Sequence, residues 1–165
     1  MSALESRGVV LGLRIAQILF AIIVLGLAAY VVSWWRHYWH ASSPSSLNFL
    51  IFDAVWTLLA AAYLIVVPWH FSETRAHHKF AILGVEAVTM LFWFAGFIAA
   101  AVFLSGRGCA GGVCRAAEAA VVFAAFEWVL FTITTAMATM FVLRGRGQSR
   151  GHTKADPNVA VHEGV

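Results

Sequence analysis

Four uninterrupted apolar stretches constrain this chain more than any other feature: Ile15–Ser33, Phe49–Pro68, Phe80–Leu104 and Ala116–Leu143. As a helix rising about 1.5 Å per residue, even the shortest spans close to 30 Å, the thickness of a bilayer's hydrocarbon core. Hydrophobic residues make up 61% of the 165 positions and charged residues only 12%. A water-soluble domain of this size could not cover so much apolar surface with so few polar groups. The expected fold is therefore all-α: a polytopic membrane protein built as a four-transmembrane-helix bundle.

The connecting segments are about ten to fifteen residues long, enough to close a bundle but too short for a globular module. Residues 8–143 form the expected transmembrane domain. Residues 144–165 form a tail that opens Arg144-Gly-Arg-Gly-Gln-Ser-Arg-Gly-His-Thr-Lys. It is basic, rich in glycine and without apolar periodicity, so disorder is expected there.

Basic residues accumulate on the cytoplasmic side of membrane proteins. One side carries Arg7, Arg14, Arg75, Lys79, Arg144, Arg146, Arg150 and Lys154, and the other carries Arg36, Arg107 and Arg115. That imbalance predicts cytosolic N- and C-termini. The first apolar run is too long for the core of a typical signal peptide, and Arg14 and Gln17 sit at its start. It is read as a retained helix. Trp34, Trp35, Tyr38 and Trp39 cluster past the first run and Trp69 closes the second. Amphipathic rings favour the headgroup level, so these are expected interfacial anchors that set depth and tilt.

A charge inside a membrane span is costly unless it is paired, neutralised or close to an interface, which makes such residues the sharpest signals in this sequence. Arg14 and Glu86 lie near the same end of the first and third helices and are expected to meet. Asp53 sits about one turn inside the second helix. Glu118 follows Arg115 by three residues at the start of the fourth helix, so an i, i+3 pair is available there. Glu127 falls close to mid-membrane. It reads either as a structural carboxyl bonded to a neighbouring helix or as a proton or cation relay. Transport pathways usually combine several polar groups with a helix broken by Gly or Pro, and the fourth run has neither in its interior.

Packing signals are more numerous. Asp53, Trp56, Ala60, Tyr63 and Val67 share one helical face, as do Thr132, Thr135 and Thr139. Small residues recur four apart at Gly8/Gly12, Gly96/Ala100 and Ala120/Ala124, which permits close helix approach within the bundle or between copies. Cys109 and Cys114 bracket Ala-Gly-Gly-Val in the third connection, on the side where disulfides persist, so they are expected to pair. None of the seven histidines lies within a span, where a buried haem would want its axial ligands. The pattern holds no phosphate loop, no zinc-protease helix and no nucleic-acid signature. No catalytic residue, cofactor or metal is therefore expected.

Taken in order, these residues resemble the MARVEL family of membrane-associating domains, most closely its small fungal four-span members. Arg14-Ile-Ala-Gln17 opens helix 1, and Phe52-Asp53-Ala-Val-Trp56 begins helix 2. Helix 3 carries Glu86-Ala-Val-Thr-Met-Leu-Phe-Trp93-Phe-Ala-Gly-Phe. A cysteine-bounded loop then leads into Cys114-Arg-Ala-Ala-Glu-Ala-Ala-Val-Val-Phe at the start of helix 4. The resemblance covers residues 8–143. It implies an M-shaped bundle without enzymatic activity that organises lateral membrane domains or takes part in vesicle trafficking. Its implied setting is the plasma membrane, in eisosome-type microdomains. Its implied partners are membrane lipids, sterols or sphingolipids among them, other membrane proteins and further copies of itself. Two alternatives from other classes stay open: a small proton or ion transporter or channel subunit using Glu127 and Asp53, and a haem-binding redox subunit.

Overall fold

In lipid every backbone amide must find its partner within the protein, so each apolar run continues as a helix to the polar boundary. The computed structural model describes residues 3–39, 43–70, 75–106 and 111–151. They form four helices: α1 (Ala3–Trp39), α2 (Ser45–His70), α3 (Arg75–Ser105) and α4 (Gly112–Gly151). All four are long and apolar enough to cross a membrane, over Gly8–Tyr38, Ser45–Ile65, Phe80–Ser105 and Gly112–Leu143. Each exceeds the apolar run that announced it, because polar residues at the interface can still extend the backbone ladder.

Local chemistry sets where two of the helices begin. The Pro44 carbonyl accepts from the amides of Leu47 and Asn48, at 3.1 and 3.2 Å, and starts the first turn of α2. Ahead of α4, Gly111 adopts φ 108°, a left-handed conformation that side-chain-bearing residues rarely take. Its carbonyl accepts from the Arg115 amide at 3.3 Å and anchors the first turn.

The helices are arranged as a square, in which α1 and α3 each pack against both α2 and α4. Arg14 and Gln17, near the start of α1, meet Glu86 early in α3 and Thr134 late in α4. The start of α1 and the end of α4 therefore lie at one end, called here the terminal end. The end of α1, the start of α2, the end of α3 and the start of α4 lie at the opposite, loop end.

Buried positions recur in steps of three and four on α1, α3 and α4, and α2 carries the same stripe widened by Asp53 and Ala60. On α1 they are Arg14, Gln17, Ala21, Val24, Ala28 and Val31. On α4 they are Ala117, Ala120, Ala124, Glu127, Phe131 and Thr134. That spacing is the seam of left-handed, near-parallel helix packing. Aromatic rings close the outer grooves. Phe20 contacts Phe123 and Phe126 between α1 and α4, and Trp128 contacts Phe94 and Phe97 between α4 and α3. Phe92 of α3 lies against Phe49, Phe52 and Trp56 of α2.

The α2 seam only partly follows the face read off the sequence: Asp53 and Ala60 are buried, but the main stripe lies beside them. Leu47, Leu50, Ala54, Thr57, Ala61 and Leu64 are buried, whereas Tyr63 is 39% exposed. A run apolar all round does not reveal which stripe turns inward. The neighbouring helices decide it.

Candidate functional site

Arg14, Gln17, Asp53, Thr57, Glu86, Thr89, Glu127 and Thr134 are buried inside the bundle rather than exposed on its lipid face. Arg14 forms an ion pair with Glu86, as the sequence led us to expect, and both side chains are buried. The pair crosses the diagonal of the square, from α1 to α3, through the middle of the bundle. Arg14 Nη1 also donates to Gln17 Oε1 at 2.8 Å. Gln17 Nε2 lies 3.4 Å from Thr134 Oγ1, and that hydroxyl donates to Glu86 Oε2 at 2.6 Å. The result is a closed network on α1, α3 and α4 in which one cation and one carboxylate cancel. A buried charge pair needs such additional bonds to offset its desolvation.

Toward mid-membrane the polar contacts become neutral and bind α2 to α3. Trp93 Nε1 donates to Thr57 Oγ1 at 2.9 Å, and Trp56 Nε1 donates to Thr89 Oγ1 at 3.0 Å. Thr89 passes its own proton to the Val85 carbonyl at 2.7 Å. Each indole keeps its N–H satisfied while its ring fills apolar space.

Asp53 and Glu127 are fully buried, and neither carboxyl bonds to another side chain. The carboxyl of Glu127 lies against the α1 backbone at Ala21. That of Asp53 lies where a side chain on Gly96 would otherwise project, and a Cβ there would overlap Asp53 Oδ2. It would also come within 3.0 Å of Leu50. Each acid therefore packs against one of the smallest residues of the facing helix.

Glu118 departs from expectation. It is exposed on α4, beside the buried stripe and not on it, and Arg115 is exposed as well. Among the described residues the two form no ion pair. Trp34 contacts Tyr38 with ring centroids 5.0 Å apart, and Trp35 meets Phe103 at 6.1 Å, all near the loop end of the bundle. The side chains of Trp39 and Trp69 lie outside those described, as does Cys109, the expected partner of Cys114. Among the described residues, no group of three or more His, Cys, Asp or Glu side chains could hold a metal ion.

Sequence reasoning picked out Arg14, Gln17 and Glu86 but missed Thr134, which completes the network. It singled out Thr132, Thr135 and Thr139, whose hydroxyls could bond back to their helix or across to a neighbour; Thr132 and Thr139 bond back, donating to carbonyls of α4 at 2.8 Å each. Thr134 makes the contact between helices. The available signal was its place seven residues after Glu127, two turns along the same face.

A four-span helical bundle that buries Arg14, Asp53, Glu86 and Glu127 in its interior defines an integral membrane protein. Residues 7–137 match the MARVEL model, described as a membrane-associating domain, and the chain belongs to that family. No curated protein and no solved structure matches it.

Proposed function

We propose that this chain is a non-enzymatic organiser of lateral membrane domains or of membrane trafficking, acting through its shape and its lipid-facing surface. The observation that carries this reading is how its polarity is divided. Arg14, Gln17, Asp53, Glu86, Thr89 and Glu127 are all buried, while Leu19, Ile22, Phe52, Leu59, Leu91 and Phe126 are exposed to the surroundings of the bundle. Lipids and neighbouring membrane proteins, further copies of this chain among them, are then the partners such a surface meets.

The charge imbalance between the two sides supports cytosolic termini. Family membership supports a setting in sterol- or sphingolipid-rich plasma membrane, of the eisosome type found in fungi. In this topology the third connection faces an oxidising compartment, which supports pairing of Cys109 with Cys114. With thiols blocked before reduction, mass spectrometry is expected to find both cysteines unlabelled. Free alkylation of both in native membranes would reject the pairing.

The transporter alternative draws on Glu127 and Asp53. Against it, the seam toward the loop end from these carboxyls is apolar: Val24, Ala28, Val31, Leu47, Leu50, Ala100 and Ala120 are all buried there. A relay needs polar groups along its whole path. The test sets a fluorescently tagged copy in living cells beside purified protein in liposomes under a pH gradient. Stable plasma-membrane patches without proton flux, unchanged in Glu127→Gln, are expected. Uniform spread together with a flux that Glu127→Gln abolishes would replace the organiser by the transporter.

A further inference from the structure

The buried seam repeats itself within the chain. Moving α1 along by 72 positions lays Arg14, Gln17, Ala21, Val24 and Ala28 onto Glu86, Thr89, Trp93, Gly96 and Ala100, all of them buried on α3. Moving α2 along by 70 lays six of its buried positions, Leu47, Leu50, Ala54, Thr57, Ala61 and Leu64, onto the six buried positions of α4, while Asp53 and Ala60, also buried, fall on the half-buried Phe123 and Leu130. The two shifts differ by only two residues. The α1–α2 hairpin and the α3–α4 hairpin thus share one internal register, and because α1 lies diagonally across from α3, a pseudo-two-fold axis along the bundle relates them. Observed contacts obey it: Arg14 meets Glu86, and Trp93 meets Thr57, within single layers.

Several equivalent positions carry complementary residues, while Ala28 and Ala100, and Ala54 and Ala124, are alike. Arg14 corresponds to Glu86, a cation to an anion. Ala21 corresponds to Trp93 and Ala61 to Phe131, small to large, while Leu50 corresponds to Ala120, large to small. Pairing the first hairpin with its own copy would bury two Arg14 side chains against each other and leave a void between two alanines. Pairing the second with its own copy would oppose two Glu86 carboxylates and crowd two tryptophans into one layer. Unlike the native pair, like charges in a water-free interior have no compensation, and voids and overpacking each destabilise.

We propose that the bundle is two versions of one helical hairpin, and that the Arg14–Glu86 pair is the device by which each hairpin selects the other and refuses a copy of itself. The pair thereby governs which hairpins associate, within one chain and between two copies of it. Registry is the best-attested use of a buried ion pair.

The test uses full-length chains in membranes. Arg14→Glu and Glu86→Arg, expressed singly, leave only like charges at the diagonal, and folded yield is expected to fall to about a tenth of wild type or less. Arg14→Glu with Glu86→Arg in one chain restores opposite charges and should return most of that yield. The deciding arm co-expresses the two single variants under different tags. Each hairpin then finds its complementary charge only on the other chain, so recovery as a one-to-one, co-purifying pair is expected. Failure of the single variants to rescue each other, while the doubly reversed chain folds, would reduce the pair to a local strut and overturn the proposal. Single variants that fold as well as wild type would overturn it too, as would a doubly reversed chain that does not fold.

Discussion

At the terminal end of the bundle, α1 and α3 meet across the diagonal through Arg14 and Glu86; toward the loop end the same two helices meet through the rings of Trp35 and Phe103. Around the first contact lie Gln17 and Thr134, each hydrogen-bonded. Between the two lie Ala28, Leu50, Ala100 and Ala120, which only pack. One end is held by directional, mutually dependent contacts and the other by many small, independent ones. Helices in lipid gain nothing from hydrophobic exclusion, so association rests on close packing and on polar contacts. This molecule separates the two along its length.

If that contrast is real, truncating one member of the polar network should do more damage than any single change toward the loop end. Glu86→Ala strands a buried guanidinium and is expected to cost about 3–5 kcal/mol, read as the shift of an unfolding transition in detergent or bicelles. A loss no larger than that of Ala28→Gly would erase the distinction.

Gly96→Ala probes the acid-against-small packing, since the added Cβ meets Asp53 and Leu50. A loss of about 1–3 kcal/mol is expected, with partial relief when Asp53→Ala is added. Additive losses in that cycle would show that the two residues do not compete for the same space.

Thr57→Ala removes the acceptor of the Trp93 indole. Hydrogen bonds between membrane helices average about 0.6 kcal/mol, so a loss near 1 kcal/mol is expected in the same unfolding assay. An effect as large as that of Glu86→Ala would place the mid-membrane contacts on a par with the ion pair.

The smallest effect belongs to Gly26→Ala on the lipid-facing side of α1, where a new Cβ meets nothing within 4 Å. A change within about 0.5 kcal/mol of zero is expected, tilted toward stabilisation by helix propensity. A clear loss would mean that another molecule packs on that face.

Much of this architecture can be read from residue order alone, because the bilayer acts as a strong and simple solvent. It demands about 20 apolar residues per span and expels unpaired charge, so four runs announce four helices. For the same reason Arg14 and Glu86, near the same end of their helices, announced each other. Glu118 and Arg115 are spaced to pair and do not, because position along a helix sets depth, whereas orientation around it depends on the neighbours. Thr134 was passed over, and Tyr63 grouped with the buried Asp53 and Ala60, on the same ground: in helices apolar on every side, no amphipathic contrast marks the inward stripe. Length, number and depth of the spans, and the family they belong to, were therefore determined by the sequence itself. The diagonal crossing of the ion pair, the seating of Asp53 against Gly96 and the two-fold likeness of the hairpins were decided only in the folded bundle. There, four helices must share one interior, and each side chain's partner is set by a rotation that no single helix encodes.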